Sequence, residues 1–257
     1  AELEKQGEEF FRFLGIHSLA EARALPAVFL RDKMEEFGLF WSVVADGKFQ
    51  QRTSWQTAMR GELPDIPMMI GDTDNEFFAV PEGETEEELR ATVQKYLGDD
   101  AERFLALIHA DQGMEAAGKN AAVGKIEMAI RALCRCREKA GAKSPCYIYT
   151  FGPEIPGWDH PGAFHSSDLW FFFETLAKCW RPFTGKHYDL ARQMCNYLAA
   201  FIKTGDPNCQ DADGSEQARW IPWSDAAPSR MTFHETPEQK ACPAGDVMEF
   251  LVSREIP

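Results

Sequence analysis

The stretch GAFHSSDLW at residues 162–170, taken with GDTDNE at residues 71–76, decides how this chain folds. Both stretches come after short apolar runs bounded by turn residues, IPMMI at 66–70 and CYIYTF at 146–151. Such runs predict strands that are buried on both faces of a parallel sheet. We therefore expect an acid and then a histidine on loops at strand ends, where open α/β sheets carry their functional clefts.

Helical patterns surround these two predicted strands. Helices are expected near residues 10–16, after the S-L-A-E cap at 18–21, over 30–40, from Pro81 and the T-x-x-E box at 85–88 to about 96, over 115–139 and over 190–202. Short strands are expected at 231–233 and 247–251. This alternation predicts an α/β fold with a central, mostly parallel sheet. No linker marks a boundary, so residues 1–257 are expected to belong to a single domain.

Composition excludes several classes of protein. The chain is 44% hydrophobic and 26% charged, as in globular domains, and its net charge of −14 argues against a nucleic-acid partner. No apolar stretch approaches the roughly 20 residues of a membrane-spanning helix, so no membrane partner is expected. The first residues, AELEK, lack the basic and apolar regions of a signal peptide.

Seven cysteines bear on location and on metal binding. An odd number favours reduced thiols in a cytoplasmic protein, with secretion as the alternative if a leader precedes this sequence. Pairing of Cys209 with Cys242 stays open. Cys134 and Cys136 lie in a helical pattern without a cluster of further ligands, so no metal site is expected.

Two residues have the chemistry of a serine hydrolase's acid and base. Among six histidines His165 is the best candidate base, because it follows a strand and a loop rich in glycine and proline. Glu76 is the candidate acid that would orient it, with Asp72 and Asp74 as competitors. The alternative for each is a solvated loop residue. The hydroxyls of Ser166 and Ser167 adjoin the base in sequence and are poorly placed as nucleophiles.

An aromatic run follows His165. Trp170, Phe171 and Phe172 are typical of a helix core, and their position also allows them to line a pocket. Because ligand pockets are mostly apolar, such a wall would suit a small, uncharged ester.

Several stretches resemble the type-B carboxylesterase and cholinesterase family, in particular its bacterial para-nitrobenzyl esterases. Residues 162–170 are similar to the family's Gly-Ala-x-His-x-x-(Asp/Glu)-Leu block, and AAFIKTGDPN at 199–208 is similar to Phe-x-Lys-Thr-Gly-(Asp/Asn)-Pro-Asn. WIPW at 220–223 and the segment from 46 to 76 also follow the family pattern. The resemblance implies an α/β-hydrolase fold without metal or organic cofactor. It implies Glu76 as triad acid, His165 as base and Asp168 as a supporting acid; the family's usual Asp-Glu-Gly is Asn75-Glu76-Phe77 here.

The nucleophile of such a triad is not in this sequence. No Gly-x-Ser-x-Gly occurs in the 257 residues, although the fold orders its triad Ser, acid, His. We therefore interpret the chain as the C-terminal half of a serine carboxylesterase that acts through an acyl-enzyme. Its expected partner is an N-terminal complement carrying the serine, and the chain alone is expected to be inactive. The alternatives are a catalytically inactive, cholinesterase-like binding or adhesion module, and a thiol hydrolase, for which no cysteine lies on a strand-to-helix elbow.

Overall fold

The computed structural model describes residues 2–39, 43–77, 83–211 and 213–256. Contacts between Cα atoms divide the chain into two compact units, Ala1–Thr53 and Ser54–Pro257. No described helix is both long and apolar enough to cross a membrane.

The first unit is helical. Its helices are α1 (Glu2–Leu14), α2 (Leu19–Ala24) and α3 (Ala27–Phe37). Helix α2 begins at the predicted cap, where the Ser18 hydroxyl accepts a hydrogen bond from the Glu21 amide. Helix α3 ends at Gly38, which takes the left-handed conformation that favours glycine, so the helix predicted over 30–40 ends earlier. Residue 40 lies outside the described residues.

A four-stranded sheet is the centre of the second unit. Its strands β1 (Met68–Thr73), β2 (Cys146–Phe151), β3 (Ser229–Phe233) and β4 (Pro237–Ala241) lie in that order. The first three are parallel and β4 is antiparallel to β3. The predictions for β2 and β3 are confirmed.

Strand β1 departs from the prediction in two ways. It begins two residues later than expected, at Met68, after Pro67, which has no amide to donate to a ladder. It is also largely half-buried instead of buried on both faces. Among the described residues β1 pairs only with β2, so one of its edges carries no strand.

Helices cover both faces of this sheet. They are α4 (Ser54–Met59), α5 (Glu86–Leu97), α6 (Ala101–Leu107), α7 (Met114–Ala121), α8 (Lys125–Lys139), α9 (Leu169–Phe172), α10 (Gly185–Thr204) and α11 (Asp246–Glu255). Alternate side chains of β2 divide the core. Tyr147 and Phe151 pack in the cluster that includes Trp220, and Ile148 packs with Ile130 of α8. This two-sided packing confirms the predicted α/β class.

Two further predictions about helices and strands are wrong. The helix expected over 115–139 is two helices, because the chain leaves helical geometry at residues 122–124 and the Lys125 amide donates to the Phe77 carbonyl oxygen at 2.7 Å. The strand expected at 247–251 lies inside α11. Its short apolar run is compatible with both a strand and a helix. Phe250 and Val252 are buried in a core of helices, where no described strand pairs with them. Thr85 is the N-cap of helix α5 and forms the predicted capping box with Glu88. The start expected at Pro81 lies outside the described residues.

Candidate active site

The loops that follow β1 and β2 are joined by two hydrogen bonds between Asn75 and Ala163. The Asn75 amide donates to the Ala163 carbonyl oxygen at 3.0 Å, and the Ala163 amide donates to Asn75 Oδ1 at 3.0 Å. Gly162, the residue before Ala163, has a φ of +64°. A Cβ at Gly162 would lie 2.2 Å from Asn75 Oδ1, so only glycine allows the two loops to approach this closely.

The hydrogen bonds between Asn75 and Ala163 bring Glu76 and His165 together. Glu76 Oε1 lies 2.6 Å from His165 Nδ1, the distance of a strong hydrogen bond. The glutamate side chain is 8% exposed, whereas the imidazole is 60% exposed. The arrangement therefore holds one ring nitrogen against a buried carboxylate and leaves Nε2 free of hydrogen bonds to the described residues.

The segment after His165 fixes the histidine loop. Ser167 is fully buried and its hydroxyl donates to the Phe164 carbonyl oxygen at 2.6 Å. Asp168 begins helix α9 and its Oδ2 accepts a hydrogen bond of 2.7 Å from the Tyr149 hydroxyl on β2. Burial raises the pKa of Asp168, an effect that the Tyr149 hydrogen bond opposes. Asp168 thus ties the residues after the candidate base to the sheet.

The two competing acids make other contacts. Asp74 Oδ1 accepts a hydrogen bond from the Thr150 hydroxyl at 3.1 Å, and its Oδ2 lies 3.7 Å from His234 Nε2. Asp72 is buried in a cleft of about 140 Å³ that Glu127 and Arg230 also line. Burial raises the pKa of Asp72 to about 7. Among the described residues its Oδ1 has no hydrogen-bond partner.

The aromatic run after the histidine loop lies mostly inside the fold. The Phe171 ring packs 4.9 Å from Phe151, and the Phe172 ring packs 5.2 Å from Tyr149. Both phenylalanines are buried, and Trp170 is half-buried. A role for these three residues in a substrate pocket stays a prediction.

Sequence reasoning did not identify the residues that hold the site together. In the sequence, Asn75 stands out only as a departure from a family pattern, and Tyr149 only as part of a predicted strand. The signals for both were indirect: Gly162 in a loop, and an aromatic side chain on β2 that packs over Gly71 of β1. Within the described ranges, no three His, Cys, Asp or Glu side chains group so that they could hold a metal ion.

Comparisons with known proteins show which structures and which family this chain is similar to. The chain is similar to a PNB esterase structure at 19% identity and a TM-score of 0.70, over 98% of this chain and 53% of that one. A thermophilic PNB esterase matches at 20% identity and 0.69, over 94% and 52%. The carboxylesterase EST55 of Geobacillus stearothermophilus matches at 20% and 0.63, over 97% and 53%.

These likenesses show the fold, that of α/β-hydrolase carboxylesterases, and this chain spans about half the length of each of the three structures. No curated protein sequence matches it. The model of the carboxylesterase family, however, matches residues 86–250, which is more than half of the chain and includes His165. The chain therefore belongs to the carboxylesterase family.

Proposed function

We propose that this chain provides the acid and the base of a serine-dependent carboxylic ester hydrolase, and that the nucleophilic serine lies on an N-terminal complement outside these 257 residues. The observation that carries the proposal is the contact of 2.6 Å between Glu76 Oε1 and His165 Nδ1. A carboxylate at Nδ1 fixes the imidazole tautomer and leaves Nε2 as the base.

The proposed reaction uses each residue in turn. The serine hydroxyl of the complement attacks the ester carbonyl while His165 Nε2 takes its proton. Glu76 stabilises the imidazolium that forms, and the imidazolium then protonates the departing alcohol. Water, activated by the same nitrogen, hydrolyses the acyl-enzyme. The 60% exposure of the His165 side chain supports this role, because a serine and a substrate must both reach Nε2.

The surroundings of the base favour an uncharged substrate. The Phe77 ring, more than half exposed, has its centroid 5.3 Å from that of the imidazole ring and offers apolar surface beside His165. The net charge of −14 disfavours the approach of anions. We accordingly propose small, uncharged alkyl or aryl esters as the substrate class.

Three facts support a complement. The sequence contains no Gly-x-Ser-x-Gly, and the chain spans about half of the esterase structures that it matches. Strand β1 also has one edge without a strand among the described residues, and such an edge can pair with another strand. All seven cysteines are free, which supports a cytoplasmic location as part of the same proposal.

For the test, the protein is purified under native conditions with an affinity tag on this chain, so that any bound polypeptide is retained. It is then labelled with a fluorophosphonate, the intact mass of each polypeptide is measured, and the rate of hydrolysis of a p-nitrophenyl ester is determined. We expect an adduct on a serine of a second polypeptide. Glu76→Gln and His165→Ala should each lower the rate by about 10³- to 10⁴-fold.

His160→Ala is the matched control, because His160 belongs to the same loop and is exposed, and this variant should keep the wild-type rate. Chain that elutes alone should neither label nor hydrolyse the ester. A complex that carries a complement yet takes no label on any polypeptide would refute the proposal and would favour a non-catalytic binding module.

A further inference from the structure

Two cysteine thiols meet at the end of the sheet farthest from the candidate active site. Cys146 is the first residue of β2, whereas the loop that leads to His165 follows Phe151, the last residue of β2. Cys134 lies on α8, and its thiol donates a hydrogen bond of 3.2 Å to Cys146 Sγ. No other pair of cysteine sulfurs is within hydrogen-bond distance in the part of the chain that the structure describes. Neither thiol has a role in the mechanism proposed above.

The pair is held in place beside a cavity. Cys134 is 1% exposed and Cys146 is 7% exposed, and the two thiols are packed among apolar side chains of α8 and the sheet. The Cys146 carbonyl oxygen accepts a hydrogen bond of 2.8 Å from the Trp223 amide, which fixes the start of β2. Both cysteine residues line a cavity of about 310 Å³. A small oxidant would approach the two cysteines from this cavity.

The hydrogen bond makes the two thiols chemically unequal. It lowers the pKa of Cys146, which accepts the bond. The same bond, with burial, raises the pKa of Cys134, which donates it. Arg137 also lines the cavity and favours a negative charge on sulfur, whereas burial and Glu138, which lines the same cavity, oppose it. Since the thiolate is the form that attacks an oxidant, Cys146 is the reactive member.

We propose that Cys134 and Cys146 form an oxidation site that hydrogen peroxide converts to an intramolecular disulfide, reversible by thiols. The Cys146 thiolate attacks peroxide, the O–O bond breaks, and sulfenic acid and hydroxide form; the hydroxide takes up the thiol proton as water. The Cys134 sulfur then displaces water from the sulfenic acid as the S–S bond forms. In sum, two thiols lose two electrons and two protons, and one peroxide becomes two waters.

The geometry requires little movement. A disulfide bond is about 2.0 Å long, so sulfurs 3.2 Å apart need to approach by only about 1.2 Å. The bond would tie α8 to the start of β2 across a short loop. It should therefore raise the melting temperature of the chain, by about 5 °C, through a more constrained unfolded state. The site does not depend on the proposed esterase activity.

Peptide mapping tests the proposal, because trypsin separates the cysteines concerned. Cys134 falls in the peptide 132–135, Cys136 in 136–137 and Cys146 in 144–178. The chain is treated with hydrogen peroxide, its free thiols are alkylated, and it is digested without reductant. We expect peptides 132–135 and 144–178 to be joined, with a mass two hydrogens below their sum, and to separate after dithiothreitol.

The variants distinguish this disulfide from other oxidation. Cys134→Ala should abolish both the joined peptide and the rise in melting temperature. Cys136→Ala should keep both, because Cys136 lies two residues on in α8 and contacts Met59 instead. Circular dichroism establishes that each variant is folded. If folded wild-type chain gives no joined peptide, or if Cys146 accumulates as sulfinic acid instead, the proposal is overturned.

Discussion

The substitution Gly162→Ala tests whether one close contact holds the two loops of the candidate site together. Gly162 has φ of +64°, a conformation that side-chain-bearing residues rarely adopt. An alanine Cβ would lie 2.2 Å from Asn75 Oδ1, far inside van der Waals contact. That oxygen accepts the hydrogen bond of the Ala163 amide, so either the Asn75 side chain or the Gly162 backbone must move.

The expected cost has two parts. The left-handed backbone costs an alanine about 1 kcal/mol relative to glycine. Displacing Asn75 Oδ1 leaves the Ala163 amide, in a buried residue, without its acceptor, which costs about 2 kcal/mol more. Gly162→Ala should therefore lower the free energy of unfolding by about 3 kcal/mol.

Urea denaturation followed by circular dichroism measures this free energy. Gly141→Ala is the matched control, since Gly141 has φ of +82° and its Cβ would meet nothing within 4 Å; it should cost only about 1 kcal/mol. Adding Asn75→Ala to Gly162→Ala removes the clash, so the double variant should be more stable than the sum of the single effects predicts. A Gly162→Ala cost equal to that of Gly141→Ala would refute the reasoning.

Three further substitutions probe polar groups on or next to β1 and β2. Because burial raises the pKa of Asp72 to about 7, the wild type should lose stability as the pH rises from about 4 to 7, and Asp72→Asn should avoid this loss. The difference, up to about 4 kcal/mol at about 1.4 per pH unit, is measured by urea titrations at pH 4, 6 and 8, and an effect equal at all three would contradict it. Asp65→Asn should show the opposite sign, because hydrogen bonds from backbone amides lower the pKa of Asp65. It should destabilise the chain above about pH 4, and its effect should fade when the urea titrations are extended to lower pH. Tyr149→Phe should cost about 1–2 kcal/mol in thermal unfolding through its lost hydrogen bond to Asp168, whereas Tyr188→Phe, at an exposed position, should cost little.

The parts of the fold that the sequence predicted correctly are those with local causes. Strand β2 is a run of β-branched and aromatic residues and is paired on both sides, so its bounds could be read directly. Helix α5 carries both halves of a capping box at Thr85 and Glu88. Part of helix α11 was predicted as a strand because five consecutive residues at 247–251 are mostly apolar. Such a short run fits a strand or a helix, and only the elements packed against it decide between the two.

The contact between Glu76 and His165 shows what local patterns leave out. Their types and order indicated an acid and a base at strand ends, and their catalytic roles remain a proposal. Nothing local to either residue predicts that they touch. The contact needs Asn75 to pair with Ala163, and that pairing needs a residue without a Cβ at 162, a requirement that involves positions almost 90 residues apart.

Register explains why the acid is buried and the base exposed. Strands β1 and β2 are parallel and their last residues, Thr73 and Phe151, are partners, so both loops leave the sheet at one level. Only two residues separate Thr73 from Glu76, whereas a long loop separates Phe151 from His165. The short connection keeps the carboxylate against the end of the sheet, and the long one brings the imidazole over it from outside. The same difference in loop length that hides the carboxylate of Glu76 from water therefore leaves the imidazole of His165 open to a reacting partner.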